Sequence, residues 1–292
     1  MRLIKGMHGL GDNIYQRAFV REIADIVFLQ TSWPQLYRDL PNVRPVMGVT
    51  RLRTQRKNIV AQGQGVWFQA PRMLSRKIHY NFRGFPSSGA TILGSMARGF
   101  GVQAKVFDLP RFERFEVDFP YAVVRPATVR EEWKNPARNP RAEYIAEAAG
   151  QLRARGLKVI SVADLALGAE WADGPLPPCD LAYYHGELGL ERLLGLIQGA
   201  TVVVGGVGWI VPAAIAAGVP LITLLGGQGG HNDPSRIVGA PMDLSRARWI
   251  RPDNYCSCKD MRHGCDKRIS DFSQKFEEAL DGLCLARSLA TA

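Results

Sequence analysis

The sequence predicts an α/β protein made of two Rossmann-like, doubly wound parallel-sheet domains facing a cleft. Three observations predict it. The strand Arg2-Leu3-Ile4-Lys5 runs directly into a glycine-rich turn and then a helix. From Tyr121 onward, apolar strands alternate with amphipathic helices, the order of a parallel sheet covered on both faces. A second glycine loop, Gly205-Gly206-Val207-Gly208, sits between a strand and a helix in that half.

The elements follow in order. After Lys5 the turn contains Gly6, Gly9 and Gly11, which permit a tight bend and close backbone approach. Ile14, Ala18, Phe19 and Ile23 form the inner face of the first helix. Asp12 or Asn13 is placed to cap it; the other reading aims Asp12 into the cleft. Ile26 to Thr31 reads as a buried strand, Trp33 to Leu40 as a short helix or turn, and Pro41 to Pro45 as a loop. Ile92 to Phe100 reads as a helix stopped by Gly101. A boundary falls near residues 108–120, where Asp108-Leu109-Pro110 and Asp118-Phe119-Pro120 bracket a charged stretch. The second half then runs strand Tyr121 to Arg125, helix Arg141 to Arg155, strand Lys158 to Val162, strand Leu181 to Tyr184 and helix Leu188 to Gln198. It continues with strand Ala200 to Val204, helix Ile210 to Ala217 and strand Val219 to Leu225. The expected division is 1–117, 118–270 and a C-terminal helix in 271–292 that packs back across the molecule.

The chain has 292 residues and a net charge of +10. No apolar run approaches the roughly 20 residues needed to span a bilayer, and no leader with a sustained apolar core opens the chain. The expected place is the cytoplasm, on the inner membrane surface or on DNA. Excess positive charge favours anionic partners. Between residues 50 and 85, Arg51, Arg53, Arg56, Lys57, Arg72, Arg76, Lys77 and Arg83 are interleaved with Trp67, Phe68, Tyr80, Phe82 and Phe85. Such a mixture suits an anionic acceptor with aromatics on sugars or bases; basic stems lying over an ordinary core are the other reading.

The glycine loop after Val204 leaves backbone N–H groups free at a helix N-terminus. A phosphate or pyrophosphate fits there without a dedicated cation, at the carboxyl ends of parallel strands where such sheets bind ligands; alternatively the glycines serve close strand–helix packing. A nicotinamide dehydrogenase is disfavoured, because position 14, where the third glycine of G-x-G-x-x-G would fall, is Ile.

Three stretches together resemble the family-9, heptosyltransferase-like glycosyltransferases of GT-B architecture. They are Gly9-Leu10-Gly11-Asp12; the strand to Arg125-Pro126 with Arg138-Asn139-Pro140; and the run from Leu188 through the glycine loop to Ala213–Pro220 and Leu225-Gly226-Gly227. The resemblance implies an inverting transfer of a hexosyl or heptosyl group from a nucleotide-diphosphate sugar to an acceptor hydroxyl. It implies Asp12 as the catalytic base, with His8, Gly9, Gly11 and Asn13 on the acceptor-side wall. It places the donor diphosphate on Gly205, Gly206, Gly208 and Trp209, with Arg125 or Lys134 neutralising it, and requires no metal. This sequence departs from the family pattern at Val207 and Pro212, where an acid and a His are usual, so those side-chain contacts to the donor are absent.

The acceptor stays open between a lipopolysaccharide-type glycan at a membrane surface and a modified base in DNA. A non-catalytic nucleotide-sugar or nucleic-acid binding protein on the same fold is the alternative. Glu187, after a strand, is a candidate for ribose hydroxyls, or simply favours the next helix N-terminus. His231 and Arg236, in the loop Gly229 to Arg236, are candidates for phosphate or acceptor contacts; a solvated loop is the other reading. Cys256, Cys258, His263 and Cys265 have the ligand types of tetrahedral zinc, with Cys284 a distant candidate; reduced buried thiols are the alternative.

Overall fold

The computed structural model describes residues 1–80 and 91–283. Phe82, Arg83, Phe85 and Cys284 therefore lie outside the described residues. The chain forms two compact units. One comprises Met1–Arg111 with Gly189–Glu191 and Pro234–Asp243; the other comprises Phe112–Leu188, Arg192–Asp233 and Leu244–Ala292.

The first unit contains β1 (Arg2–Lys5), α1 (Leu10–Val20), β2 (Val27–Thr31), β3 (Val43–Met47), α2 (Arg53–Ala61), β4 (Ser75–Lys77) and α3 (Ile92–Phe100). Its sheet is parallel, in the order β3-β2-β1-β4. The stretch expected as a loop around Pro45 is instead the edge strand β3, with Pro45 opposite Leu29. Proline is tolerated there because an edge strand leaves one side of the backbone unpaired. α3 is capped by the Thr91 hydroxyl, which accepts from Gly94 N–H, and ends at Gly101 with φ +70°, a left-handed conformation suited to glycine. α1 packs on α3 through the stacked rings of Phe19 and Phe100, 5.1 Å apart. The fully buried Arg17 guanidinium donates to Asp39 at 2.7 Å, Asp108 at 3.1 Å and the Leu36 carbonyl at 2.7 Å.

The second unit contains β5 (Tyr121–Arg125), β6 (Thr128–Arg130), α4 (Ala142–Ala154), β7 (Lys158–Val162), β8 (Glu170–Ala172), β9 (Leu181–Tyr183) and most of α5 (Leu190–Gln198). There follow β10 (Val202–Gly205), α6 (Ile210–Ala217), β11 (Leu221–Leu224) and α7 (Gly229–Asn232); α8 (Pro234–Ile237) belongs to the first unit; β12 (Ala247–Ile250) and α9 (Phe272–Asp281) complete the second. Its main sheet is parallel, in the order β12-β11-β10-β5-β7-β9, and β6 pairs β8 in a separate antiparallel ribbon. On one face Ala122, Val124, Val159, Val202, Val204, Ile222 and Leu224 meet Ile145, Ala148 and Leu152 of α4 and Phe272, Phe276 and Leu280 of α9. Each large apolar side chain buried there is worth about 1.5–3 kcal/mol. Val123, Ile160 and Val203, equally buried, point to the opposite face by strand alternation. α9 packs on α4 and β12. No helix among the described residues is long and apolar enough to cross a membrane.

Candidate functional site

In the first unit the site is built from the turn after β1. Gly6 donates to the Gln30 carbonyl at 3.1 Å, and a Cβ on Gly6 would lie 2.8 Å from that oxygen, so glycine is required. Asn13 is fully buried. Its amide nitrogen donates to the carbonyls of Met7 and Gly9, both at 2.8 Å, and its oxygen accepts from Thr31 Oγ1 at 2.7 Å and the Tyr37 hydroxyl at 3.1 Å. Asn13 is thereby spent on shaping the loop. Gln16 Oε1 accepts from Met7 N–H, and Trp33 Nε1 donates to the exposed His8 through its carbonyl. Gly11 is half-buried in the first turn of α1.

Gly9 is the N-cap of α1, and Asp12 stands at the third helical position. One Asp12 oxygen accepts from Gly9 N–H at 3.2 Å. The other accepts from the Tyr80 hydroxyl. A Cβ on Gly9 would lie 2.5 Å from Asp12 Oδ2, so the carboxylate approaches the turn only because residue 9 is glycine. Asp12 thus contributes to capping while remaining only half-buried. Burial, and then the nearby Asp12 charge, hold the phenols of Tyr80 and Tyr15 well above the ordinary tyrosine range. Tyr80 is therefore a donor throughout the working pH range. It reaches Asp12 because β4 lies parallel beside β1, and the chain continues along it through an Ile78 N–H to Lys5 carbonyl bond of 3.0 Å. Sequence reading placed Tyr80 only in the basic–aromatic stretch; the 68-residue separation from Asp12 hides the pairing until the strand order is known.

In the second unit Arg125 ends β5 directly opposite Gly205 of β10. It is 8% exposed, and its guanidinium donates to Thr128 Oγ1 at 3.1 Å. Burial lowers its pKa to about 10, against the opposing effect of Glu170, so it stays charged at neutral pH. Glu170 is held by Arg130 at 2.8 Å and by the Thr128 hydroxyl. A Cβ on Gly205 would meet Arg125 Cβ at 3.3 Å, and one on Gly208 would meet Arg125 Nη1 at 3.4 Å. The glycine loop therefore lies along a buried cation at the N-terminus of α6. Gly205, Gly206 and Val207 are buried, whereas Gly208 and Trp209, the N-cap, are half-exposed. Pro212 falls in the first turn of α6, where a missing N–H costs nothing. First-turn N–H groups lack intrahelical partners and carry the positive end of the helix dipole.

The remaining candidates are placed as follows. Lys134, exposed, pairs with Glu131 at 2.8 Å. Glu187 accepts the His185 N–H at 2.9 Å, beyond the edge strand β9, three strand spacings, about 14 Å, from β10. His231 belongs to the second unit and Arg236 to the first.

The structure gathers Cys256, Cys258, His263 and Cys265, with all four ligand atoms within 4.8 Å of one another. Cys258 and Cys265 sulfurs are 3.5 Å apart, and His263 Nδ1 lies 3.3 Å from Cys265 and 3.6 Å from Cys256. Sulfurs bound at 2.3 Å to a tetrahedral zinc stand about 3.8 Å apart, so the group fits a tetrahedral ion. Its backbone also holds the loop after β11: Gly229 N–H donates to the Cys256 carbonyl at 2.7 Å and Gly230 N–H to that of Cys258 at 3.0 Å. Gln228, in a left-handed conformation, donates to the Lys259 carbonyl at 3.1 Å and accepts from Asn135 at 2.9 Å.

No family model matches the sequence, and no curated protein matches it. Solved structures do. The iron-containing dodecameric glycosyltransferase TibC of enterotoxigenic E. coli H10407 aligns at 15% identity over 98% of this chain and 76% of its own, with a TM-score of 0.62. A family-9 glycosyltransferase of Veillonella parvula DSM 2008 aligns at 14% identity over 97% of both chains, TM-score 0.61. The fold is that of the heptosyltransferase-like family-9 glycosyltransferases. ADP-heptose LPS heptosyltransferase II of E. coli, at 15% identity over the full length of both chains and a TM-score of 0.56, has it too. The mixed α/β architecture with parallel sheets expected from the sequence is thus the one observed.

Proposed function

We propose that this protein is an inverting glycosyltransferase that moves a sugar from a nucleotide-diphosphate donor to an acceptor hydroxyl. The observation that carries the reading is Arg125, a buried cation lying under a glycine loop at a helix N-terminus. Glu170, which Arg130 already holds, only partly offsets that buried charge, and a diphosphate on the loop would set further anionic charge against it. The leaving nucleotide is stabilised by that guanidinium and the α6 dipole, with no step that needs a metal. Asp12 takes the acceptor proton as the hydroxyl attacks. The solved TibC complex contains ADP-D-β-D-heptose, and E. coli heptosyltransferase II is an ADP-heptose LPS enzyme; we take an ADP-sugar and a lipopolysaccharide-type glycan as the first donor and acceptor to test. No finding supports a modified DNA base as acceptor.

We read the Cys256, Cys258, His263 and Cys265 group as a structural metal site. Three thiolates and an imidazole suit zinc or iron.

The deciding experiment is a thermal-shift series with ADP-heptose, ADP-glucose and UDP-glucose. A donor at 100 times its Kd adds about 2.7 kcal/mol, and the Arg125→Lys variant, which lacks the forked guanidinium, shows a smaller shift. Failure of every nucleotide-diphosphate sugar, and of ADP itself, to raise the melting temperature overturns the donor reading.

A further inference from the structure

The cysteine segment lies against the loop that follows β11. No residue from Cys256 to Cys265 is buried: the three cysteines are half-buried and the residues between them are exposed, so a small solute reaches the sulfurs. The Cys258 and Cys265 sulfurs stand 3.5 Å apart, about 1.5 Å more than the length of a disulfide bond. The Cys265 side chain occupies the space that Gly227 leaves, since a Cβ on Gly227 would lie 2.3 Å from Cys265 Sγ and 2.4 Å from its Cβ. Gly227 N–H donates to the Ala137 carbonyl at 2.8 Å, and Ala137 N–H donates to the carbonyl of Met261, inside the segment, at 3.2 Å. The Cys256 and Cys258 carbonyls accept from Gly229 and Gly230. The loop is thus fastened to the segment at Gly227, Gly229 and Gly230. β11 pairs with β10, whose glycine loop carries the proposed donor site.

We propose that Cys258 and Cys265 are a peroxide-sensitive pair, and that their oxidation to a disulfide unfastens the loop after β11. Zinc is redox-inert, but the thiolates that hold it are not. Peroxide oxidises one sulfur of the pair to a sulfenic acid, and the other displaces its oxygen as water. In sum the two sulfurs give up two electrons and form the S–S bond. The O–O bond of one peroxide molecule breaks, and its oxygens take two protons and leave as two waters. Two of the four metal ligands are then consumed, and Cys256 with His263 cannot retain the ion, which passes to solvent. Cys256 is no longer tied to Cys265 through a shared ion, so the carbonyl it presents to Gly229 is released. Closing the gap between the sulfurs also draws on Cys265, which packs on Gly227, and on Cys258, whose carbonyl holds Gly230. In the ion's release the proposal rests on the metal-site reading; the oxidation of the pair does not.

The test adds hydrogen peroxide in small excess to the full chain loaded with zinc. The expected result is release of about one equivalent of zinc to a chromogenic chelator and a Cys258–Cys265 link in the peptide mass spectrum. Amide hydrogen exchange at Gly229 and Gly230 becomes at least about tenfold faster. Dithiothreitol with added zinc reverses all three changes. Cys256→Ser still forms the link, and Cys265→Ser does not. The peroxide treatment is repeated without zinc, which separates the two readings: a chain that takes up no zinc overturns the metal site, while the link and the exchange still decide the proposal. The proposal is overturned if the pair goes to sulfinic acids, if either sulfur joins Cys256 instead, or if the link forms and exchange at Gly229 and Gly230 is unchanged.

Discussion

The Tyr80 hydroxyl donates to one oxygen of Asp12 while Gly9 N–H donates to the other. The carboxylate is therefore held between two donors, one from the turn after β1 and one from the chain three residues past β4. Both favour the anion. Removing the phenol in Tyr80→Phe takes away one of these donors, so the acid limb of the kcat/KM profile moves to higher pH. Carboxyl carbon NMR, with Asp12 assigned through Asp12→Asn, reads the same shift without substrate. An unchanged titration would show that the phenol does not tune the base.

Arg125 should govern donor affinity rather than folding. Arg125→Lys retains a charge but loses the fork, and a charge-assisted hydrogen bond to the diphosphate is worth about 1.5–3 kcal/mol. Donor Kd should rise roughly ten- to hundredfold by isothermal titration. A Kd equal to wild type would remove Arg125 from the donor site.

Two glycines of the same loop should behave differently. A Cβ on Gly206 would lie 2.8 Å from Pro140 Cδ, whereas on Gly208 it would lie 3.4 Å from Arg125 Nη1. Gly206→Ala should destabilise the second unit by about 1–3 kcal/mol through overpacking, seen in urea unfolding. Gly208→Ala should fold normally and bind donor weakly, because the methyl stands over the guanidinium.

The acid side of the stability profile should depend on Asp39. Its hydrogen bond and charge contact with the buried Arg17 guanidinium outweigh partial burial and hold its pKa below the ordinary carboxylate value. A depressed folded-state pKa gives stability that is present above the unfolded value near 4 and lost as pH falls through the folded one. Asp39→Asn should cost about 1–2 kcal/mol at pH 7, a modest figure because Asp39 is 43% exposed and Asp108 still pairs with Arg17. Its stability should then fall less steeply below pH 4, as measured by urea melts from pH 7 to 3.

On the proposed metal-site reading, removing the ion should loosen the loop that the cysteine segment carries. Cys258→Ser, or prolonged chelation, should lower the melting temperature and release about one equivalent of zinc or iron by elemental analysis. Donor affinity should fall with it, since Gly229 and Gly230 depend on the Cys256 and Cys258 carbonyls.

Most of the second unit was legible in the sequence because buried parallel strands read as apolar runs, and Lys158 to Val162 and Val202 to Gly205 carry little else. The edge strands were harder. β3 contains Pro45 and β4 is Ser75-Arg76-Lys77, polar and exposed, so neither has a strand's pattern. Asp12 and the glycine loop were visible as local motifs. The partnership of Arg125 with Gly208, and of Tyr80 with Asp12, is set by strand order, which no local pattern encodes.

The central claim is that Asp12 is the base of a sugar transfer, and Asp12→Asn tests it most directly. Asparagine keeps the size and can accept from Gly9 N–H, but cannot take a proton from an acceptor hydroxyl. With ADP-heptose and a lipopolysaccharide-core acceptor, the account predicts donor Kd within about twofold of wild type and kcat lower by at least about 10²-fold. Transfer by Asp12→Asn at the wild-type rate, with donor bound equally well, would contradict it.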